Sequence, residues 1–283
     1  MTMPEEWYES AVASHFTLEI GYYNGERGRR AAQTLLLHQS PLDEFFGDAA
    51  SGIGSRYFLT EFKRDVTTLD SERRKPLRRT LQEELTAGIP LVPNIVPHTG
   101  SGTDAAEGEH TADPAAWIAD LSLRGHFLCW GRERGRKVSA DIAPYACLVT
   151  ALPSRYQWSG VARFLNAVDP SSASAGHETL IGLRVQEFSS YVVHMLALVL
   201  LEKEDGSSDE DAPSGDEIAD STMLLGRASK TGIVALPVRG TNMLLRLLSI
   251  NQNVEVAIKA EVDRIREERA ARARTAERGR TVK

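Results

Sequence analysis

The chain predicts an α/β fold, a mixed β-sheet flanked by helices, with a mainly helical C-terminal half. Three observations carry that expectation. Residues 43–66, DEFFGDAASGIGSRYFLTEFKRDV, hold two apolar strand-like runs around a Gly/Ser turn. A run of helical period follows at 73–88, and two further strand-like runs come after it. Strands on both sides of a helix suit an α/β sandwich around a mixed sheet.

Composition bounds the reading. At 283 residues and 42% hydrophobic content, the chain can bury a large core as one large or two modest domains. We divide it into a sheet-bearing core at 1–153 and a mainly helical accessory or partner-binding region at 154–283. The formal net charge of −6 argues against a surface coated for constitutive nucleic-acid binding and leaves room for local basic patches. No signal-like segment opens the chain, and the longest apolar run, 191–201, contains His194 and is too short to span a bilayer. The expected location is the cytoplasm, with no membrane partner. Cys129 and Cys147 lie in apolar strand-like runs and are expected as free thiols.

Residues 4–23 open with Pro4 and two glutamates, a good helix start, and repeat apolar residues at three-and-four spacing through Trp7, Val12, Phe16 and Ile20. Glu19 falls on that apolar face, where it needs a partner or an ion; the competing reading puts it at the stripe's margin, in solvent. Asn24-Gly25 predicts a turn, and 26–39 a second helix ended by Ser40-Pro41.

In the hairpin, the turn at 51–55 leads into Tyr57-Phe58-Leu59-Thr60-Glu61-Phe62-Lys63, aromatic and β-branched enough for a strand. Alternation puts Glu61 and Lys63 on one face and Phe58, Thr60 and Phe62 on the other. Folding about the turn makes opposed residue numbers sum to roughly 107 to 109, so Glu61 faces the neighbourhood of Asp48. Asp43 lies on the order of 16 Å further along, which makes Asp48 the better partner.

Leu69-Asp70-Ser71-Glu72 leads into a helix at 73–88 that aligns Leu77, Leu81 and Leu85, with Gly88 as its stop. Its first half carries Arg73, Arg74, Lys75, Arg78 and Arg79, a basic group suited to phosphates or to a solvated face. Residues 89–115 lack a period and predict a mobile loop, with His98 and His110 on its surface. Strands are expected at 123–131 and 145–152 with a basic connection between them, and helices at 158–168 and 180–203, the latter enclosing His194 as a core histidine. Residues 202–221 are acidic and small and predict disorder. A helical region at 241–269 carries the stripe Val254, Ile258, Val262 and Ile265, which would dock on the body or on another subunit, before an arginine-rich tail.

Two carboxylates side by side repel unless a cation lies between them, and oxygen ligands suit Mg²⁺ or Mn²⁺ rather than zinc. A lysine beside the ion can hold a water or stabilise charge developing on a phosphate oxygen. The competing reading of Glu-x-Lys is a solvated strand face with an ion pair.

An acidic residue, a short hairpin and then Glu-x-Lys on a hydrophobic strand resemble the PD-(D/E)xK nuclease superfamily, with its restriction-endonuclease-like fold. The resemblance covers roughly residues 5–150. It implies Asp48 and Glu61 as metal carboxylates, the Phe62 carbonyl as a third ligand to Mg²⁺ or Mn²⁺, and Lys63 as the catalytic lysine. The family usually adds a glutamate from a preceding helix, for which Glu19 is the first choice and Glu9 the reserve. Gly47, not proline, precedes Asp48, a departure from the first motif. The implied function is a metal-dependent endonuclease acting on nucleic acid, DNA first, with Arg73, Arg74, Lys75 and Arg78 toward phosphates. A homodimer or a partner protein, and a place in prokaryotic defence or restriction, are implied by the same analogy. The alternative function is a non-catalytic, nuclease-like subunit of a larger complex.

Overall fold

The computed structural model describes residues 5–28, 33–36, 48–53, 55–92, 113–134, 137–169, 181–204, 222–229, 232–239 and 254–281. Asp43, His98, His110 and the acidic stretch 205–221 lie outside them. Helix α1 (Glu5–Glu26) runs through Asn24-Gly25, where a turn is predicted. The Asn24 amide donates to the Ile20 carbonyl at 2.8 Å, so the helix itself satisfies it. Strand β1 (Gln33–Leu36) replaces the helix expected at 26–39. Its backbone pairs with a strand on each side, and that pairing overrides local helical preference.

Strands β2 (Ala49–Ile53) and β3 (Arg56–Lys63) form the expected hairpin, but Ser51, Gly52 and Ile53, expected in its turn, belong to β2 and pair with Phe58, Tyr57 and Arg56. Ala49 opposes Thr60, so residue numbers in this pair sum to 109, and the same register carried one residue past the end of β2 sets Asp48 opposite Glu61. The helix expected at 73–88 begins only at Pro76, as α3 (Pro76–Gly88), and a separate short helix, α2 (Leu69–Arg73), occupies its approach. The break has a local cause. Lys75 precedes a proline and takes φ −63°, ψ 118°, the extended backbone that Pro76 imposes on its neighbour.

Gly88 keeps helical angles, φ −84° and ψ −36°, so it is no left-handed stop. A side chain there would put Cβ 2.0 Å from the Ala115 carbonyl oxygen. Glycine is needed because α3 crosses the start of α4 (Pro114–Gly125) at backbone contact. Helix α4 occupies the end of the expected loop and the start of the expected strand at 123–131. Asp113 caps it, accepting from the Ala115 N–H at 2.8 Å.

Strands β4 (His126–Arg134) and β5 (Lys137–Pro144) follow. The strand predicted at 145–152 is corrected to a 3-10 turn at Tyr145–Leu148. The expected basic connection belongs to the hairpin instead, where Arg132 and Asp141 pair at 3.1 Å. After β6 (Trp158–Ser159) come α5 (Val161–Val168) and α6 (Val185–Glu204).

Among the described residues after 153 helix predominates, as expected, but two strands that the sequence reading did not foresee lie there as well. Strands β7 (Thr222–Ser229) and β8 (Gly232–Arg239) precede α7 (Val254–Thr281). The sheet order is β6-β5-β4-β3-β2-β1-β7-β8, with β3 and β4 the parallel pair. β8 is its last strand, where Pro237 is tolerated. Elements from beyond residue 153 therefore complete the sheet begun before it.

Two apolar layers enclose β3. Phe16 of α1 and Phe164 of α5 pack with Phe58, Phe62 and Phe127 on one face. On the other, Leu81, Leu85, Ile118, Leu121, Tyr191 and Leu198 cover Leu59 and Leu128. Val262 and Ile265 dock α7 on the body, alongside α6. Among the described residues, no helix is long and apolar enough to cross a membrane.

Candidate active site

Alternation along β3 sends Phe58, Thr60 and Phe62 into the phenylalanine layer and Glu61 and Lys63 into the opposite layer, as predicted. That layer is closed: Glu61 is 1% and Lys63 6% exposed. The solvated-face reading of Glu-x-Lys is thereby excluded. A buried carboxylate needs cations and donors, and Glu61 has several. Its Oε1 accepts from Lys63 Nζ at 2.7 Å and from Lys75 Nζ at 2.9 Å, and its Oε2 from Arg78 Nη2 at 3.1 Å.

A second carboxylate, Glu72 of α2, shares these cations. Lys63 lies 3.2 Å, Lys75 2.9 Å and Arg78 3.7 Å from its oxygens, and the Tyr145 hydroxyl donates to Oε1 at 3.3 Å. Burial raises the Glu61 carboxyl, but Arg78, Lys63 and Lys75 outweigh it and hold Glu61 below the usual carboxylate range. Burial likewise lowers Lys63, while Glu61 and Glu72 outweigh it and keep the ammonium charged.

Behind the cluster, His126 stacks on Tyr145 at 4.4 Å between ring centres. Burial first, then Arg78, depresses His126 well below the usual histidine value, so the ring is neutral. A guanidinium only donates, so Nε2, 3.5 Å from Arg78, accepts, and Nδ1–H donates to the Tyr191 hydroxyl at 3.0 Å.

Asp48 stands at the margin of the sheet. Its Oδ2 accepts from the Phe62 backbone N–H at 2.5 Å. Burial, and then Glu61, push its carboxyl well above the usual range; Lys63 and the Phe62 N–H offset only part of this. A cavity of about 510 Å³ opens beside it, lined by Glu9, Ser10, Ser14, Thr17, Asp48 and Phe62 among others.

The structure brings Asp48, Glu61, Phe62 and Lys63 together. Glu9, not Glu19, is the α1 carboxylate on the Asp48 cavity. Glu19 lies ten residues along, about 15 Å at the helical rise, and is half-buried beside Ile20. The basic group splits. Arg73 and Arg74 are exposed, Arg73 pairing with Asp70 at 2.8 Å, whereas Lys75 and Arg78 turn inward. Arg78, wholly buried, is corrected from a phosphate contact to a partner of Glu61 and Glu72.

No family model, curated protein or solved structure matches this chain.

The sequence reading missed Glu72, Tyr145 and His126. The signal for Glu72 was its spacing, since Glu72, Lys75 and Arg78 recur every third residue. Among the described residues, no group of three or more His, Cys, Asp or Glu is arranged to hold a metal. Asp48 and Glu61 offer hard carboxylate oxygens at the hairpin. A divalent cation suits them by chemistry, because its charge would offset the burial and, after it, the Glu61 charge that raise Asp48.

Proposed function

We propose that the chain is a metal-dependent nuclease hydrolysing phosphodiester bonds in DNA, on a restriction-endonuclease-like core. The opposition of Asp48 and Glu61 across β2 and β3, with Lys63 bonded to Glu61 at 2.7 Å, carries this reading. Element order supports it: a helix, the hairpin, the Glu-x-Lys strand, then a helix packed on the sheet before the next strand.

Asp48 and Glu61, with the Phe62 carbonyl, would hold Mg²⁺ or Mn²⁺. Such an ion, once bound, polarises a phosphate and lowers the pKa of a water. The chain's own residues fix the geometry. Lys63 and Arg78 grip the two oxygens of Glu61, Tyr145 orients Glu72, and the Phe62 N–H orients Asp48. Glu9 is the α1 acid closest to this role, in place of Glu19. Cutting both strands of a duplex calls for two sites, hence a homodimer or a partner protein, in a cytoplasmic setting such as defence or restriction.

The test is incubation of wild type, Asp48→Asn and Lys63→Ala with supercoiled plasmid, linear duplex, single-stranded DNA and RNA, in Mg²⁺, Mn²⁺ or EDTA. Wild type is expected to cut only with metal, and Asp48→Asn to lose at least about 100-fold while keeping its circular dichroism. Full activity of Asp48→Asn, or cleavage in EDTA, would sink the assignment.

The second reading is a non-catalytic subunit on the same sheet, favoured by the closure of Glu61 and Lys63. A Mn²⁺ titration separates the two, because only a nuclease needs the ion.

A further inference from the structure

Three cations reach Glu61, and solvent reaches them unequally. The Arg78 side chain is 0% exposed, that of Lys63 7% and that of Lys75 35%. Lys63 is closed in between Glu61 at 2.7 Å and Glu72 at 3.2 Å. A phosphate arriving from solvent therefore meets Lys75 first. Lys75 owes this place to the chain around it. Extended backbone before Pro76 breaks α2 from α3, and the side chain crosses from that joint to the sheet. Its Nζ lies 2.9 Å from Glu61 Oε1 and 2.9 Å from Glu72 Oε2, on the same Glu61 oxygen that Lys63 holds.

We propose that Lys75, not Lys63, is the lysine that contacts the scissile phosphate, and that Lys63 is a positioning residue for Glu61 and Glu72. The inference rests on the nuclease reading above. Lys75 is equipped for the role. It is the N-cap residue of α3, a 13-residue helix, and so stands at that helix's positive end. The exposed Arg74 adjoins it, and Arg73, its side chain 51% exposed, extends the positive approach. A lysine is a point charge on a flexible stem, so rotation about its side-chain bonds carries the ammonium from carboxylate to phosphate without moving the backbone.

The test measures binding of a short fluorescent DNA duplex in EDTA across a salt series, and single-turnover cleavage in Mg²⁺, for wild type, Lys75→Ala, Lys75→Gln, Lys75→Arg and Lys63→Met. Lost phosphate contacts lower the slope of log affinity against log salt by about one unit each. Lys75→Ala and Lys75→Gln are expected to lose about one unit of slope and about 100-fold in cleavage rate. Lys75→Arg keeps the slope, and Lys63→Met keeps the slope while its melting temperature falls. Were Lys75→Ala to fail to fold, Lys75→Gln decides. A wild-type slope and rate in the Lys75 variants, or a slope lost in Lys63→Met alone, overturns the proposal and leaves the nuclease reading standing. A wild type that neither binds nor cuts overturns both.

Discussion

At the residue scale, the buried charges of β3 are held by what surrounds them. Glu72, wholly buried, meets Lys63, Lys75 and Arg78 on one side and Tyr145 on the other. Removing one partner of a buried ionic group leaves the others under-compensated in a medium that solvates them poorly. Glu72→Ala is therefore expected to cost about 3–5 kcal/mol of stability, read by urea denaturation. A loss below about 1 kcal/mol would show that water enters the cluster and screens it. That Glu61 and Lys63 share a face was legible in strand alternation. That both are buried was not, because their burial comes from helices distant in sequence.

At the scale of elements, close approach decides more than propensity does. Helix α3 keeps its helical backbone through Gly88 and meets the Ala115 carbonyl where a Cβ would stand 2.0 Å away. Gly88→Ala would raise helical propensity by about 1 kcal/mol in an isolated helix. Here it must push α3 from α4, and the expected outcome is a net destabilisation of about 1–3 kcal/mol, with a lower melting temperature. A stabilised variant would mean that α4 yields easily. Glycine at a helix end reads as a stop in sequence, since the helix that crosses it is 26 or more residues further on. The break before Pro76 was legible in principle, because Lys75-Pro76 carries its own steric rule.

At the scale of the molecule, three helices meet on one buried histidine. His194 of α6, 1% exposed, holds Glu84 of α3 through Nε2 at 2.7 Å and Glu261 of α7 through Nδ1 at 2.7 Å. Arg264 of α7 also faces it, 3.4 Å from Nδ1, and bonds Glu261. Burial lowers the histidine, but the hydrogen bonds of Glu261 and Glu84 outweigh it and raise it above the usual 6.5. Its contribution is therefore complete below 6.5 and is lost as pH rises through the raised value. Glu261 is raised by burial, yet Arg264 and His194 hold it at about 2, so its share is present above the usual 4.5 and fades toward about 2. Hydrogen exchange of α7, corrected for intrinsic rates, should show protection falling as pH climbs past the usual histidine range. His194→Ala should flatten that dependence. Flat protection in the wild type would mean that Val262 and Ile265 alone keep α7 docked.

The sequence by itself determined that a hairpin brings Asp48 toward Glu61, and its register to within two residues, because strand alternation is a local rule; it set the turn too early, since Ser51, Gly52 and Ile53 are strand. It also determined the apolar faces of α1, α6 and α7. Only the tertiary structure decided that β1 is a strand, that β7 and β8 extend the sheet, and that Glu72, Lys75 and Arg78 close over Glu61. The physical reason is common to all three. Strand pairing and charge burial are contracts between segments far apart in the chain, and no local pattern records the partner.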